Sequence, residues 1–289
     1  MAHGTRLAFA ADLHMNHQKG QDAVAALIAH LERDTPDVLV LAGDIAASTS
    51  FGPSLERFAG VRCVKAVIPG NHDLWVPTAH PTDSLHAYET QLPEEAVRHG
   101  FHWLDGGPLV LPERGLALAG SVNWYDGSWA IDALRERFPG ELHRLKSKTF
   151  PRGRLNDAVY VRMALDDGAF TARVVEAFER HLDAALAQAG ACIAVAHHPP
   201  MRGMSFPREG PPETLEHLLW DAFAGNARME AVLAARSDRV PLAFCGHTHW
   251  EREERIGATR AINIGGGYER KRLLVVDWPA GSVAATEFG

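Results

Sequence analysis

Short apolar runs punctuate the chain, and several of them stop abruptly at residues that bind metals. Leu7–Ala11, Val38–Ala42, Val61–Ile68, Ile193–Ala196 and Leu242–Cys245 read as buried strands, being short and rich in aliphatic residues. Asp22–Arg33, rich in Ala and Leu, reads as a helix that ends before Pro36. The β-α-β order of this first third predicts a mainly parallel sheet with right-handed crossovers. Ser84–His99 has helical character, with Pro93 expected to break it. Pro108–Gly120 reads as a hairpin about a Pro-Glu-Arg-Gly turn. Ala169–Ala189 carries a helical apolar stripe through Val174, Val175, Phe178, Leu182, Ala185 and Leu186. A Pro/Gly-rich loop is expected at Arg202–Pro212, then one or two helices over Glu213–Ala235, interrupted near Gly225. The tail returns to strands at Thr259–Ile264, Arg272–Asp277 and Val283–Phe288.

Segment 121–165 breaks this order. Aromatics (Trp124, Tyr125, Trp129, Phe138, Phe150, Tyr160) mix with charge and show little periodicity. Arg144, Lys146, Lys148, Arg152 and Arg154 face only Glu141 between 141 and 154. The segment reads as an insertion or cap within one domain spanning 1–289, and the basic run reads as a solvated face or a phosphate-binding patch.

The residues after the strands carry the chemistry. They are Asp12-Leu13-His14, Gly43-Asp44, Gly70-Asn71-His72-Asp73, His197-His198 and Gly246-His247-Thr248-His249. Open α/β sheets bind ligands beyond the carboxyl ends of their strands, so neighbouring strands would gather these groups in one pocket. Asp12 and His14 are two apart, where the period of a strand puts both on one face. Asp44 is a simple cap or a carboxylate bridging two cations. Asn71 can offer an amide oxygen, His72 can stay free as an acid, and Asp73 can hold and orient His72. Each block alone is an ordinary turn; five in the same strand-end setting are not.

As a set, in this order and across nearly the whole chain, the blocks resemble the calcineurin-like metallophosphoesterase superfamily. That resemblance implies a four-layer α/β/β/α sandwich, two mixed sheets flanked by helices, with a two-metal site at its edge and here a small helical or loop cap at about 121–165. It implies one metal on Asp12, His14, Asp44 and His249 and a second on Asp44, Asn71, His197 and His247. His197 rather than His198 matches the family's His-x-Pro. His72 and Asp73 match the unligated histidine and its carboxylate. The implied reaction is hydrolysis of a phosphomonoester or phosphodiester by in-line attack of a metal-bound hydroxide. Nitrogen and oxygen ligands without thiolate allow Mn, Fe, Zn, Co or Ni. Asn123, Trp124, Tyr125 and His198 are candidates for substrate contact, the two rings by stacking on a base or aryl group or else by packing the cap.

Composition narrows the alternatives. The chain has 289 residues, 46% hydrophobic, with a formal net charge of −7, which disfavours long nucleic acids as partners and leaves a small phosphoester as the expected substrate. A nuclease or cyclic-nucleotide phosphodiesterase would use the same site. A non-catalytic scaffold would be expected to have lost ligands, and an amidohydrolase-type barrel would open with His-x-His and use no asparagine. Cys63, Cys192 and Cys245 lie inside apolar runs without zinc spacing and read as buried hydrophobes in a reducing compartment. No secretory signal or membrane span is legible, and a cytoplasmic setting is the expectation.

Overall fold

In the computed structural model, which describes residues 4–207 and 213–289, twelve strands form two six-stranded sheets. In chain order the strands are β1 (Thr5–Ala10), β2 (Val38–Ala42), β3 (Val64–Ile68), β4 (Phe101–Trp103), β5 (Leu109–Leu111), β6 (Leu116–Ser121), β7 (Ala191–Ala196), β8 (Leu242–Cys245), β9 (Arg252–Ile256), β10 (Thr259–Asn263), β11 (Lys271–Trp278) and β12 (Ser282–Phe288). One sheet runs β12-β11-β1-β2-β3-β4 and the other β5-β6-β7-β8-β10-β9. Each has a parallel run, β1 to β4 and β6-β7-β8-β10, with antiparallel strands at one margin of the first sheet (β11 and β12) and at both margins of the second (β5 and β9).

Strand parity builds the layers. Leu7, Phe9, Val38, Val40 and Ala66 of the first sheet share a core with Leu116, Leu118, Ile193, Val195 and Phe244 of the second. Phe9 stacks on Phe244 across this interface, ring centres 4.1 Å apart. The alternate residues Ala8, Leu39, Leu41 and Val67 belong to the core that holds the helical Leu27, Leu31 and Leu55. Strands covered on both faces read as continuous apolar runs, which is why they were visible in the sequence. The result is an α/β/β/α sandwich.

The strands carrying the five blocks are not neighbours in one sheet: β1, β2 and β3 lie in the first and β7 and β8 in the second. Their carboxyl ends meet along a common edge of the sandwich, where the Gly246 N–H donates to His197 O (3.0 Å) and the Asp12 N–H to Gly43 O (3.0 Å).

Pro93 does not break its helix. Ser84–His86, a π-helical Ala87–Gln91 and Leu92–Arg98 follow without interruption. The Leu92 N–H reaches back five residues to Ala87 O, and this wider turn accommodates the proline ring that would clash in an α-helix. Asp167–Gln188 forms the longest helix, and Leu215–Ala222 and Ala227–Ala234 are separated around Gly225. Strands β4 and β9 escaped the sequence pattern: one has three residues, and the other, Arg-Glu-Glu-Arg-Ile, is a charged margin strand. Part of the Arg202–Pro212 loop, residues 208–212, lies outside the described residues. Among the described residues no helix is long and apolar enough to cross a membrane.

Segment 121–165 holds three short α-helices, Ile131–Arg137, His143–Ser147 and Asp157–Tyr160, and a 3₁₀ turn at Pro139–Glu141. Its Trp124, Tyr125, Leu134 and Phe150 enter the same core as Phe170 and Phe178 of the long helix.

Candidate metal centre

The loops leaving the strands are bent through unusual backbone. Of the described non-glycine residues with positive φ, five are Asp12 (56°), His14 (45°), Asp44 (53°), His247 (71°) and His249 (55°). Asp12 and His14 therefore converge through left-handed turns beyond β1, and not through the pleat of a strand as expected. Such conformations persist only where the surroundings hold them. Glycines make the room. A Cβ at Gly43 would run into the His197 ring, one at Gly70 into the Asp44 carboxylate, and one at Gly246 into the Asp12 carboxylate. Each glycine next to one ligand thus clears space for a ligand from another strand.

The side chains gather into two groups that share Asp44. Ligand atoms of Asp12, His14, Asp44 and His249 lie within 4.8 Å of one another. His14 Nε2 and His249 Nε2 are 2.9 Å apart, and His249 Nε2 is 3.5 Å from Asp12 Oδ1. On the other side, Asn71 Oδ1 is 3.2 Å from His197 Nε2 and 3.1 Å from His247 Nδ1, while His197 Nε2 is 3.3 Å from Asp44 Oδ1. His14 Nε2 stands 3.8 Å from Asp44 Oδ2. Asp12, His14, Asp44 and His197 are almost wholly buried.

The charges show what the pocket lacks. Burial acts to raise the Asp44 carboxyl, but the neighbouring imidazoles, His197 first, hold it well below its usual range. Burial acts to lower His197, yet Asp44 outweighs it and lifts the imidazole to about 9. Burial drives His14 down to about 3, so it is neutral with a lone pair to give. The His197 Nδ1–H donates to Ala42 O (3.0 Å), which points Nε2 at Asp44. The buried carboxylates draw positive charge to these points, as the raised His197 shows, and the set of carboxylates, imidazoles and an amide oxygen aimed there fits divalent ions.

Supporting contacts fix the ligands. The Asp12 carboxylate accepts from the His247 N–H (3.0 Å) and Asp44 Oδ1 from the His72 N–H (2.9 Å). The buried Asp157 was not legible in the sequence. Its Oδ1 accepts from Asn71 Nδ2 (2.9 Å) and Trp75 Nε1 (2.6 Å), and its Oδ2 from the Tyr125 hydroxyl (2.9 Å). By taking the amide hydrogens it leaves the Asn71 oxygen facing His197 and His247. Lys271, buried behind the site, donates to Asp12 O (3.2 Å), Tyr268 O (3.3 Å) and Gly267 O. Gly267 lets that segment close on His249, and Tyr268 stacks on His14 at 4.3 Å.

Several expected roles change. Asp73 does not hold His72. Its carboxylate accepts from the backbone N–H groups of Ala46 (2.8 Å), Gly70 (2.8 Å) and Ile45 (3.2 Å), tying the Asp44 loop to the Asn71 loop. His72 is held by stacking on Trp75 at 3.6 Å, with Nε2 3.8 Å from Asp44 Oδ2. His198 is fully buried, bonded through Nδ1 to Val122 O (3.0 Å), with burial pushing it down to about 3. Trp124 and Tyr125 are also fully buried, so neither can stack on a substrate; they pack against Phe170 and Phe223. Asn123 donates to His198 O and Pro199 O and accepts from Asn226, a clasp with no face toward the pocket. Trp75, Phe150, Phe206, Trp220 and Tyr268 instead line the cavity of about 440 Å³ above Asp44, Asn71, His72, His247 and His249. Their scattered positions gave no sequence signal.

Comparison with known proteins places this geometry. The fold is similar to phosphopantetheinyl hydrolase (PptH) from Mycobacterium tuberculosis, with TM-score 0.66 and 19% identity over 93% of this chain and 92% of that one. It is also similar to TT1561 of Thermus thermophilus, with TM-score 0.55 and 12% identity over 98% of each chain. A dimetal phosphatase from Danio rerio gives TM-score 0.53 and 11% identity over 99% of each chain. No curated protein matches significantly by sequence. The sequence profile of the family described as calcineurin-like phosphoesterase matches residues 5–251. This span takes in every candidate ligand from Asp12 to His249, and the chain belongs to the calcineurin-like phosphoesterase family.

Proposed function

We propose that the protein hydrolyses a small phosphomonoester or phosphodiester with the help of two divalent ions. The observation that carries this reading is Asp44, one carboxylate shared between two convergent donor groups. Asp12, His14, Asp44 and His249 would hold one ion; Asp44, Asn71, His197 and His247 would hold the other. Ions so held lower the pKa of water and neutralise phosphoryl charge.

The chain's own residues do the rest. His72 faces the cavity beside Asp44, with Nε2 3.8 Å from Asp44 Oδ2 and its face fixed by Trp75. Burial lowers its pKa, and the negative charge of an arriving phosphoester favours its protonated form. It then stabilises the phosphoryl oxygens or gives its proton to the departing alcohol. Trp75 and Tyr268 wall the cavity and exclude water from part of it.

The test is a hydrolysis panel of mono-, di- and cyclic phosphoesters on protein stripped by chelation and reloaded with Mn, Fe, Zn, Co or Ni. Activity should vanish on stripping and return with at least one ion. Full turnover by the stripped protein sinks the proposal.

A further inference from the structure

We propose that the turn carrying Arg152 and Arg154 is an anion subsite for the part of the substrate remote from the scissile bond. The substrate is then a phosphoester whose leaving group joins a flat ring to a second negative group, as in a nucleoside bisphosphate. This inference rests on the phosphoester reading above.

The basic run of the cap divides by function. Arg144 is occupied, bonded to Glu141 and to Phe150 O (2.8 Å). Lys148 pairs with Asp167 (2.7 Å) and lies over the Tyr125 ring at 5.1 Å. Arg152 and Arg154 are exposed, and no described residue bonds to either guanidinium. Both line the same cavity as Asp44, Asn71 and His72. Their turn is braced: the Phe150 N–H donates to Gly153 O (3.0 Å), the Leu155 N–H to Lys148 O (2.8 Å), and Gly153 takes the left-handed φ of 94°. Two free guanidinium forks on a fixed turn match phosphate or carboxylate oxygens. Glu216 also lines the cavity, and Asp157 there is taken up by Asn71, Trp75 and Tyr125, so among the described residues the rim carries two positive groups against one free negative.

An aromatic path joins this rim to the metal centre. Phe206 lies 5.2 Å from the His247 ring, Trp220 is 4.7 Å from Phe206, and Phe150 is 4.4 Å from Trp220. Phe206 and Trp220 are only partly buried, which leaves ring surface for a planar group between the two charged ends.

The experiment compares a nucleoside 3′,5′-bisphosphate, the corresponding 5′-monophosphate, an acyclic polyol bisphosphate and 4-nitrophenyl phosphate on the metal-loaded enzyme. Wild type should favour the nucleoside bisphosphate through KM. The R152A/R154A double variant should raise that KM roughly tenfold, keep kcat, and leave 4-nitrophenyl phosphate unchanged. An equal change for all four probes overturns the subsite. A polyol bisphosphate binding as tightly as the nucleoside bisphosphate overturns the ring. Calorimetric binding of the nucleoside bisphosphate gives a readout independent of turnover: about tenfold weaker in the variant supports the subsite, and equal affinity overturns it. If wild type hydrolyses no probe, the phosphomonoester reading fails and the calorimetry still judges the subsite.

Discussion

The strand-end loops and the 121–165 segment are both irregular, both polar and both border the same cavity, yet their polar groups are arranged in opposite ways. In the segment, most buried polar groups find partners within the protein. Tyr125 donates to Asp157, Trp124 to Asp167, and Asn226 to Asn123. In the loops, ring nitrogens and carboxylate and amide oxygens from several strands crowd on common points, with more than one potential ligand atom at each. His14 Nε2 and His249 Nε2 stand 2.9 Å apart, and the Asn71 oxygen sits in front of two imidazoles beside a buried carboxylate. Backbone strain follows the same division, with five positive-φ ligand candidates in the loops against Asn123 and Lys148 in the segment. A protein keeps such an arrangement when something else completes it.

The largest break in this comparison comes from the shared carboxylate. Asp44→Ala should strip both donor groups of their common member, lowering bound metal and reducing turnover by orders of magnitude. Gly70→Ala should approach that result from the backbone side, because its new methyl group meets the Asp44 carboxylate and N–H. Element analysis of the purified variants together with steady-state kinetics checks both. If Asp44→Ala retains full metal content and rate, the loops are not incomplete by design and the contrast fails.

A smaller effect tests the contact between the two regions. Asp157 belongs to the segment but serves the loops, orienting the Asn71 amide. Asp157→Ala should weaken metal binding or activity about 10- to 100-fold, as loss of a partner to a metal ligand typically does. Asp157→Asn should remain close to wild type. Its oxygen can still accept from Asn71 and Trp75, and the Tyr125 hydroxyl can turn to accept from the new amide. Metal titration by calorimetry separates the two variants; equal losses would mean that charge, and not amide orientation, is what Asp157 supplies.

The same division explains what was legible. The ligand blocks stood out because strands buried on both faces are continuous apolar runs, and each ends in residue types chosen for what they bind. The runs and their polar ends were legible residue by residue, but they suggested neighbours in one sheet; the sandwich and the grouping of Asp12, His14, Asp44, Asn71, His197, His247 and His249 came with the family resemblance. Asp73 was misread because a carboxylate beside a histidine looks like its partner, whereas three backbone N–H groups from two loops claim it. Trp124 and Tyr125 were left between substrate stacking and packing because position after a strand does not say which way a side chain turns; both turn inward. Asp157 could not be found: its partners Asn71, Trp75 and Tyr125 are more than 30 residues distant, and nothing local marks it.

The smallest expected effect concerns Trp124, and it sharpens the claim that Trp124 and Tyr125 pack the core while the substrate touches other rings. Trp124 is fully buried, donates to Asp167 at 2.9 Å and packs edge-on against Phe170 at 5.4 Å. Trp124→Phe keeps a ring and loses the indole N–H. Asp167 still has Lys148, so no carboxylate is left without a partner. The cost is one hydrogen bond and a small void, about 1–3 kcal/mol of folding stability. Urea unfolding should register this loss while kcat and KM for a hydrolysed phosphoester stay near wild type. Phe206→Ala should do the reverse, raising KM for ring-bearing substrates, because Phe206 lines the cavity and is only partly buried. A Trp124→Phe variant with unchanged stability and a raised KM would put Trp124 at the substrate and erase the distinction between the two sets of aromatics.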